Sequence, residues 1–290
     1  MNNDRRNPIQ VLNETYLQEF LGGRSLVSSA LFSSGKCNSN YKLTLDDGAE
    51  VVARVSSSDS SLRELRVMDL ARELVKVPEV LYERPSLLIL EFLNGQILEE
   101  VPEHSRLAGI AIAQFSSRTF DSRGRIEEDG SISAFGFGGL QGFIDECLGN
   151  AELLERLGKK RKGRLLPLLR NKSHLIEELD TEACLVHGDF NPTNILIHEE
   201  KLSGVLDWEY ALAGTPFMDI GNLLRNTDES FHSEIEQGLR EGGMRLSKNW
   251  KERAELVDLT SQFEFLTSPL SEEFKLACLQ RIDRFIEKYG

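Results

Sequence analysis

The first third of the chain alternates short apolar runs with polar turns, whereas most of the remainder has the spacing of amphipathic helices. A short helix is predicted over residues 13–22, where Asn13 can cap the start and Gly22-Gly23 the end. A second is predicted from residue 61 to about residue 75, with Leu65 and Met68 on its apolar face. Strand-like runs cover residues 26–32, 41–45, 51–55, 78–82 and 86–92. Helices are predicted over residues 103–118, 140–148, 151–179 (interrupted by the basic run 159–164), 230–241, 247–267 and 271–288.

Short strands return at residues 183–207, inside the helical part of the chain. An apolar run stops at His187-Gly188-Asp189, a second begins after Asn194, and a third ends at Asp207. Three short strands with polar residues only at their ends predict that Asp189, Asn194 and Asp207 lie close together. The plainer interpretation is a set of hairpins whose Asp and Asn residues only make turns.

The spacing of these three residues indicates magnesium-dependent phosphoryl transfer. Mg²⁺ takes one or two carboxylates together with substrate phosphates, and kinases place an amide five residues after the catalytic aspartate. Here His187-Gly188-Asp189 stands in place of His-Arg-Asp, and Asp207 is followed by Trp208-Glu209 in place of Phe-Gly. The stretch therefore resembles the aminoglycoside phosphotransferase and choline kinase family of small-molecule kinases more than the protein kinases.

This resemblance implies an α+β, two-lobed protein-kinase-like fold with ATP between the lobes. The small β-rich lobe is expected over residues 1–93 and the larger, mostly helical lobe over residues 94–290. The resemblance assigns to Asp189 the role of accepting or orienting the proton of a substrate hydroxyl, and to Asn194 and Asp207 the binding of Mg²⁺.

Two further residues are expected to support the catalytic residues. In the family that this chain resembles, an aspartate at the position of Asp219 braces the catalytic loop through hydrogen bonds, and His187 is expected to support the same loop. Asp219 falls in the first turn of a helix that Pro216 can start, so a simple interaction with the helix dipole is the alternative explanation.

Arg54 is a single cation inside an apolar strand, and burying it requires an anionic partner. Kinases carry at this position a lysine that holds the α- and β-phosphates and pairs with a helical glutamate. Glu64, in the first turn of the helix that begins at residue 61, is the candidate partner. The alternatives are an outward-facing Arg54 on a half-exposed strand and a Glu64 that is favoured only by the helix dipole.

The remaining nucleotide contacts are expected from two connecting segments. Ser34 and Gly35 lie in a loop between two strands, whose N–H groups and hydroxyls can contact phosphate oxygens. A plain hairpin loop explains that segment equally well. Backbone groups of Glu91, Phe92 and Leu93 fall where a kinase-like chain crosses between lobes and contacts the adenine.

Composition limits the partners and the location. The net charge of −13 disfavours nucleic acid as the main partner. It is compatible with a cationic acceptor and equally with acidity that only serves solubility. The longest apolar runs stay below 18 residues, which argues against a membrane span. The four cysteines are scattered and the N-terminus has no apolar segment, so a cytoplasmic protein with reduced thiols is expected.

The expected function is therefore a Mg-ATP-dependent transfer of a phosphoryl group to a hydroxyl of a small molecule. Aminoglycoside-like, amino-alcohol and sugar acceptors all stay open, as do the choice of ATP over GTP and the oligomeric state. The first alternative is a catalytically idle ATP-binding module that acts through partners. The second is a protein kinase, which the lack of Asp-Phe-Gly and Ala-Pro-Glu motifs after Asp207 disfavours.

Overall fold

The computed structural model describes residues 8–32, 38–56 and 61–290. Helix α1, Glu14–Leu21, starts where the Asn13 side chain accepts a hydrogen bond from the backbone of Thr15, and it ends at Gly22 in the left-handed conformation. Both caps are those that the sequence predicts. Leu17 of this helix is fully buried, so α1 covers one face of the sheet that follows.

The N-terminal part of the described chain forms one antiparallel sheet in the order β1-β2-β3-β5-β4. Its strands are β1 (Leu26–Leu31), β2 (Ser39–Leu45), β3 (Glu50–Val55), β4 (Val80–Arg84) and β5 (Leu87–Glu91). Alternate residues of β3 and β5 pack beneath α1, and the opposite side of β5 packs with helix α2, Ser61–Ala71. Helix α2 ends four residues before the predicted residue 75, because the chain turns over residues 72–74 and brings Val75 into the core.

The C-terminal part is built mainly of helices around one large apolar core. They are α3 (Ser105–Phe115), α4 (Leu140–Gly149), α5 (Ala151–Asn171), α6 (Ser173–Leu179), α7 (Phe217–Arg225), α8 (His232–Glu241), α9 (Trp250–Thr267) and α10 (Glu272–Tyr289). The predicted interruption at residues 159–164 is wrong. That basic run is helical within α5 and the kink lies at Gly158. Arg161 pairs with Asp283 of α10 at 2.7 Å, which gives the run a helical neighbour.

Two small sheets carry the strands around residues 183–214. One joins β11 (Lys201–Val205), β10 (Ile195–His198) and β6 (Gln96–Ile97), and the other joins β8 (Ile132–Ser133), β7 (Gly124–Ile126), β12 (Leu212–Gly214) and β9 (Cys184–Val186). The three consecutive predicted strands therefore belong to two different sheets. Residues 187–194 cross from one sheet to the other, and this segment is called the 187–194 loop below.

The architecture confirms the expected fold class. A β-rich N-terminal region precedes a larger helical region, and the whole is mixed α+β. Within residues 8–32, 38–56 and 61–290, none of the helices is both long and apolar enough to cross a membrane.

Candidate active site

A carboxylate from α7 holds the start of the 187–194 loop. Asp219 accepts the backbone N–H of His187 at 2.7 Å through one oxygen and that of Gly188 at 2.9 Å through the other. Asp219 is fully buried, and this burial raises its pKa to about 7 although both N–H groups favour the charged form. The loop is therefore anchored to the first turn of α7.

His187 links the loop to the strand that precedes Asp207. Its Nδ1 accepts the backbone N–H of Asp189 at 3.2 Å, and its Nε2 lies 2.8 Å from the carbonyl oxygen of Leu206. Burial lowers the pKa of the imidazole. A neutral ring with the proton on Nε2 satisfies both contacts, so the imidazole joins the loop to the backbone just before Asp207.

Gly188 is required by close packing. Its φ is +81°, and a Cβ at this position would lie 2.4 Å from the carbonyl oxygen of Tyr210. Only glycine fits both the left-handed backbone and this approach. The segment after Asp207 consequently packs directly on the 187–194 loop.

Three side-chain amides surround the carboxylate of Asp189. Asn191 Nδ2 lies 3.0 Å and Asn222 Nδ2 3.4 Å from Oδ1, while Asn194 Nδ2 lies 3.2 Å from Oδ2. Asn194 also donates to the backbone carbonyl of Asp189 at 2.9 Å. The amide nitrogen of Asn194 thus points to Asp189, and its Oδ1 is the atom that can bind a cation.

Asn191 and Asn222 were not among the predicted site residues. Asn222 lies on α7, one helical turn after Asp219, and its Oδ1 accepts hydrogen bonds from Arg225 Nη2 and Asn226 Nδ2, both at 2.8 Å. Because the oxygen is occupied, the amide nitrogen must face Asp189. The Asp219-to-Asn222 spacing of three on a predicted helix is the signal that could have identified Asn222.

Arg54, Glu64 and Asp207 form a charge cluster between the N-terminal sheet and the C-terminal region. Arg54 Nη1 pairs with Glu64, as the sequence predicts, Nη2 lies 3.2 Å from Asp207 Oδ1, and Nε donates to Asn40 at 3.2 Å. Arg54 and Glu64 are both buried. Burial alone would lower the pKa of Arg54, but Glu64 and Asp207 outweigh it and raise the pKa, so the guanidinium stays charged.

Asp207 suits a cation. Its Oδ1 is buried and accepts no hydrogen bond from the part of the chain that the structure describes. In that same part, no three His, Cys, Asp or Glu side chains converge on one point. This oxygen, whose described charged partner is the Arg54 guanidinium, and the Oδ1 of Asn194 match Mg²⁺, which takes few protein ligands and completes its shell with phosphates and water.

Glu209 is a further carboxylate near this cluster that sequence reasoning did not select. It accepts a hydrogen bond from Asn38 at 2.9 Å, and burial followed by the nearby charge of Asp207 raises its pKa. Asn38 lies next to residues 33–37 in the chain. Glu209 therefore connects the segment after Asp207 to the N-terminal sheet.

The predicted adenine-binding segment follows β5. The Glu91 side chain is engaged by Lys76 at 2.7 Å and by the backbone of Glu79 at 3.1 Å, and Lys42 lies over the ring of Phe92. Across the described residues, the backbone N–H and C=O of Leu93 make no hydrogen bond with the protein. Leu93 therefore has backbone groups that a ligand can use. Ser34 and Gly35 lie outside the described residues.

Several solved structures share this fold. Aminoglycoside phosphotransferase APH(4)-Ia has a TM-score of 0.70 at 19% identity, covering 96% of this chain and 98% of that one. A thermostable mutant of it, in ternary complex with AMP-PNP and hygromycin B, has a TM-score of 0.69 at 19% identity, covering 94% and 97%. Macrolide 2'-phosphotransferase MphH from Brachybacterium faecium has a TM-score of 0.66 at 17% identity, covering 92% and 98%.

Similarity to curated proteins is local. Acyl-CoA dehydrogenase family member 11 of Rattus norvegicus is 43% identical over 58 residues, which is 19% of this chain and 7% of that protein. Its counterpart in Mus musculus is 44% identical over 50 residues, 17% of this chain and 6% of that protein. These matches thus span less than a tenth of either relative.

The sequence profile of the phosphotransferase enzyme family, in contrast, matches residues 29–256. Because this match spans most of the chain, the protein belongs to the phosphotransferase enzyme family.

Proposed function

We propose that this phosphotransferase moves the γ-phosphoryl group of ATP to a hydroxyl of a small molecule, in a reaction that requires Mg²⁺. The observation that carries the proposal is the Asp189 carboxylate. It is oriented by three amides and lies on a loop that His187 joins to the strand before Asp207. Asp207 has a buried oxygen that accepts no hydrogen bond from the described residues and lies 3.2 Å from Arg54 Nη2. Enzymes that transfer phosphoryl groups use a carboxylate as proton acceptor and another carboxylate to bind the cation.

Asp189 would accept or orient the proton of the attacking hydroxyl. Phosphoryl transfer passes through a loose transition state, so positioning matters more than basicity. The amides of Asn191 and Asn222 hold Oδ1, and that of Asn194 holds Oδ2. The acceptor hydroxyl then meets a carboxylate of fixed orientation.

Asn194 Oδ1 and Asp207 would hold Mg²⁺, which bridges phosphate oxygens and neutralises their charge when it is bound. Arg54 would contact the non-transferred phosphates, while Glu64 keeps its guanidinium in place. Support comes from the buried but charged state of Arg54, since a cation kept in a buried site is suited to an anionic ligand.

The adenine would lie against the backbone of residues 91–93, and the loop with Ser34 and Gly35 would cover the phosphates. On this basis we propose lobes over residues 1–93 and 94–290, with the nucleotide between them. The free backbone groups of Leu93 support this placement. The similar fold of a structure that holds AMP-PNP adds to that support.

The acceptor is proposed to be an aminoglycoside-like molecule, another amino alcohol or a sugar, handled in the cytoplasm. The similar structures are named for aminoglycoside and macrolide acceptors, and at 17–19% identity they support the class of reaction only. The net charge of −13 is compatible with an acceptor that carries amines.

The proposal is tested by ADP release from Mg-ATP across a panel of aminoglycosides, macrolides, amino alcohols and sugars. Asp189→Asn should lower kcat by about 10²–10⁴-fold, with little change in KM for Mg-ATP, because it removes the proton acceptor. Asp228→Asn is the matched control. Asp228 is an exposed cap that accepts from Ser230 at 2.9 Å, and asparagine caps equally well.

The other outcomes identify the alternatives. No turnover across the panel, with a melting temperature that Mg-ATP still raises, would indicate an acceptor outside the panel or an idle nucleotide-binding module. If the protein neither releases ADP with any acceptor nor binds the nucleotide, the assignment of residues 187–207 is wrong. Phosphate incorporated into protein would indicate a protein kinase.

A further inference from the structure

One guanidinium in the first turn of α2 holds the segment that follows Asp207. Arg63 Nη1 donates to the carbonyl oxygen of Glu209 at 2.7 Å, and Nη2 donates to that of Ala211. Its Nε donates to the carbonyl oxygen of Ile126 in β7 at 2.9 Å. A single side chain thus joins α2 to two C-terminal segments, and all three acceptors are backbone groups.

The residue beside this attachment has an uncommon backbone. Asp207 has φ +67°, in the left-handed region, which costs free energy for a residue other than glycine and persists only where neighbours enforce it. On the N-terminal side, the carbonyl oxygens of Val205 and Leu206 are held by the rings of Trp208 and His187. On the C-terminal side, Arg63 donates hydrogen bonds to the carbonyl oxygens of Glu209 and Ala211.

The same turn of α2 also reaches the other side of Asp207. Glu64, the next residue, pairs with Arg54, and Arg54 Nη2 lies 3.2 Å from Asp207 Oδ1. Consecutive residues of α2 therefore hold Arg54 from one side and the backbone after Asp207 from the other. Moving α2 would change the separation between the guanidinium and the Asp207 carboxylate.

We infer that Arg63 is a positioning residue for Asp207, fixing its carboxylate relative to Arg54 and thereby setting the affinity for a magnesium-bound nucleotide. The inference rests on the proposed function through the role of Asp207 in binding Mg²⁺. Arginine is suited to this task because its planar fork offers several donors in fixed directions, whereas a lysine ammonium is a single point charge.

Arg66 provides a matched control on the same helix. It lies one turn further along α2, against Gly130 in the turn between β7 and β8, where a Cβ would lie 2.7 Å from Arg66 Nη2. Arg66→Met therefore removes a guanidinium that lies between α2 and the turn before β8, and it leaves the hydrogen bonds from Arg63 to residues 209 and 211 in place.

The first experiment needs no ligand. Hydrogen exchange at the backbone amides of residues 208–212 should be about tenfold faster in Arg63→Met than in the wild type, since losing the donors to the carbonyl oxygens of residues 209 and 211 makes local opening easier. Arg63→Lys should restore this protection only partly, and Arg66→Met should leave it unchanged. Equal exchange in Arg63→Met and the wild type would overturn the inference.

The second experiment measures the affinity for ADP by calorimetry, with and without Mg²⁺. Arg63→Met should weaken Mg-ADP binding about tenfold and leave Mg-free ADP binding unchanged, and this loss should disappear in an Asp207→Asn background. Where Arg63→Met does not fold, Arg63→Lys takes its place in the cycle. A loss that is equal with and without Mg²⁺, or that is additive with Asp207→Asn, would overturn the inference and leave the proposed function standing. A wild type that binds ADP no better with Mg²⁺ would overturn both.

Discussion

The 187–194 loop and the charge cluster of Arg54, Glu64 and Asp207 lie side by side but are held together by different means. The loop is fixed by hydrogen bonds from backbone N–H groups and side-chain amides, all within the C-terminal region. The cluster is fixed by ion pairs between β3, α2 and Asp207, which lies two residues after β11. One region is therefore a local hydrogen-bonded frame, and the other is a junction between the two halves of the chain.

Because the two regions are held differently, we expect them to affect different properties of the protein. A frame built from several hydrogen bonds within one region keeps its geometry whether or not a ligand is bound. A cluster of buried charges depends on each of its members, because removing one leaves an unpaired charge. We therefore expect changes in the loop to appear in turnover, and changes in the cluster to appear in stability and nucleotide affinity.

The largest effect is expected from Glu64→Ala, which leaves Arg54 buried with one carboxylate fewer. The free energy of unfolding should fall by on the order of 3 kcal/mol, and KM for Mg-ATP should rise more than kcat falls. Denaturant unfolding and steady-state kinetics measure the two quantities. The control is Glu73→Ala, which removes an exposed carboxylate paired with Arg118. If Glu64→Ala lowered kcat alone, the cluster would act on turnover as the loop does, and the proposed difference between the two regions would be wrong.

Per pH unit, a smaller effect on stability is expected from Asp219, which braces the loop. Burial raises the pKa of Asp219 from 3.8 to about 7, so between about pH 4 and pH 7 the folded protein keeps a proton that the unfolded chain has released. The stabilising contribution of this group is therefore greatest at low pH and falls as pH rises through that window, by up to about 1.4 kcal/mol per pH unit.

Unfolding of the wild type and Asp219→Asn across pH isolates this contribution, because asparagine does not titrate and the other groups cancel. The unfolding free energy of the wild type should fall relative to that of Asp219→Asn as pH rises from about 4 to about 7. Above that range the difference should stay constant. Parallel curves throughout would mean that the pKa of Asp219 is the same in the folded and unfolded protein, so that its carboxylate is charged above about pH 4. The brace would then resemble the cluster in retaining its charge.

The smallest effect is expected from Asn222→Ala. The contact to Asp189 Oδ1 is long, at 3.4 Å, so its loss should cost about 1 kcal/mol and lower kcat roughly fivefold with KM for Mg-ATP unchanged. Asn226→Ala removes only one of the two donors to Asn222 Oδ1 and should have a weaker effect. A rise in KM for Mg-ATP would show that the loop and the cluster are coupled.

Sequence reasoning identified the residues whose chemistry is visible in local spacing. The loop residues Asp189 and Asn194 are five apart, and Arg54 is a lone cation in an apolar strand. A buried cation demands a partner, which led to Glu64. The shape of the chain, with a β-rich start and a helical remainder, followed from a change in hydrophobic period.

The rest depended on contacts between distant segments. Arg63 precedes Glu64 and has the pattern of an ordinary exposed helical residue, yet its acceptors lie 63, 146 and 148 residues further along the chain. Every residue has a backbone carbonyl, so a side chain that binds carbonyl oxygens requires no particular residue type at the positions it contacts. The sequence therefore shows no pattern that reveals Arg63. The same limit explains why β9 and β10 were expected in one group, although strand pairing places them in different sheets.

The missing side chain at Gly188 also bears on regulation. Many protein kinases are switched on when a phosphorylated segment after the metal-binding aspartate becomes ordered through arginine contacts. Here that segment packs so closely on the loop that a Cβ at residue 188 would meet the carbonyl oxygen of Tyr210 at 2.4 Å. An arginine therefore cannot replace this glycine without moving the segment. We expect phosphotransfer that does not depend on phosphorylation of this segment.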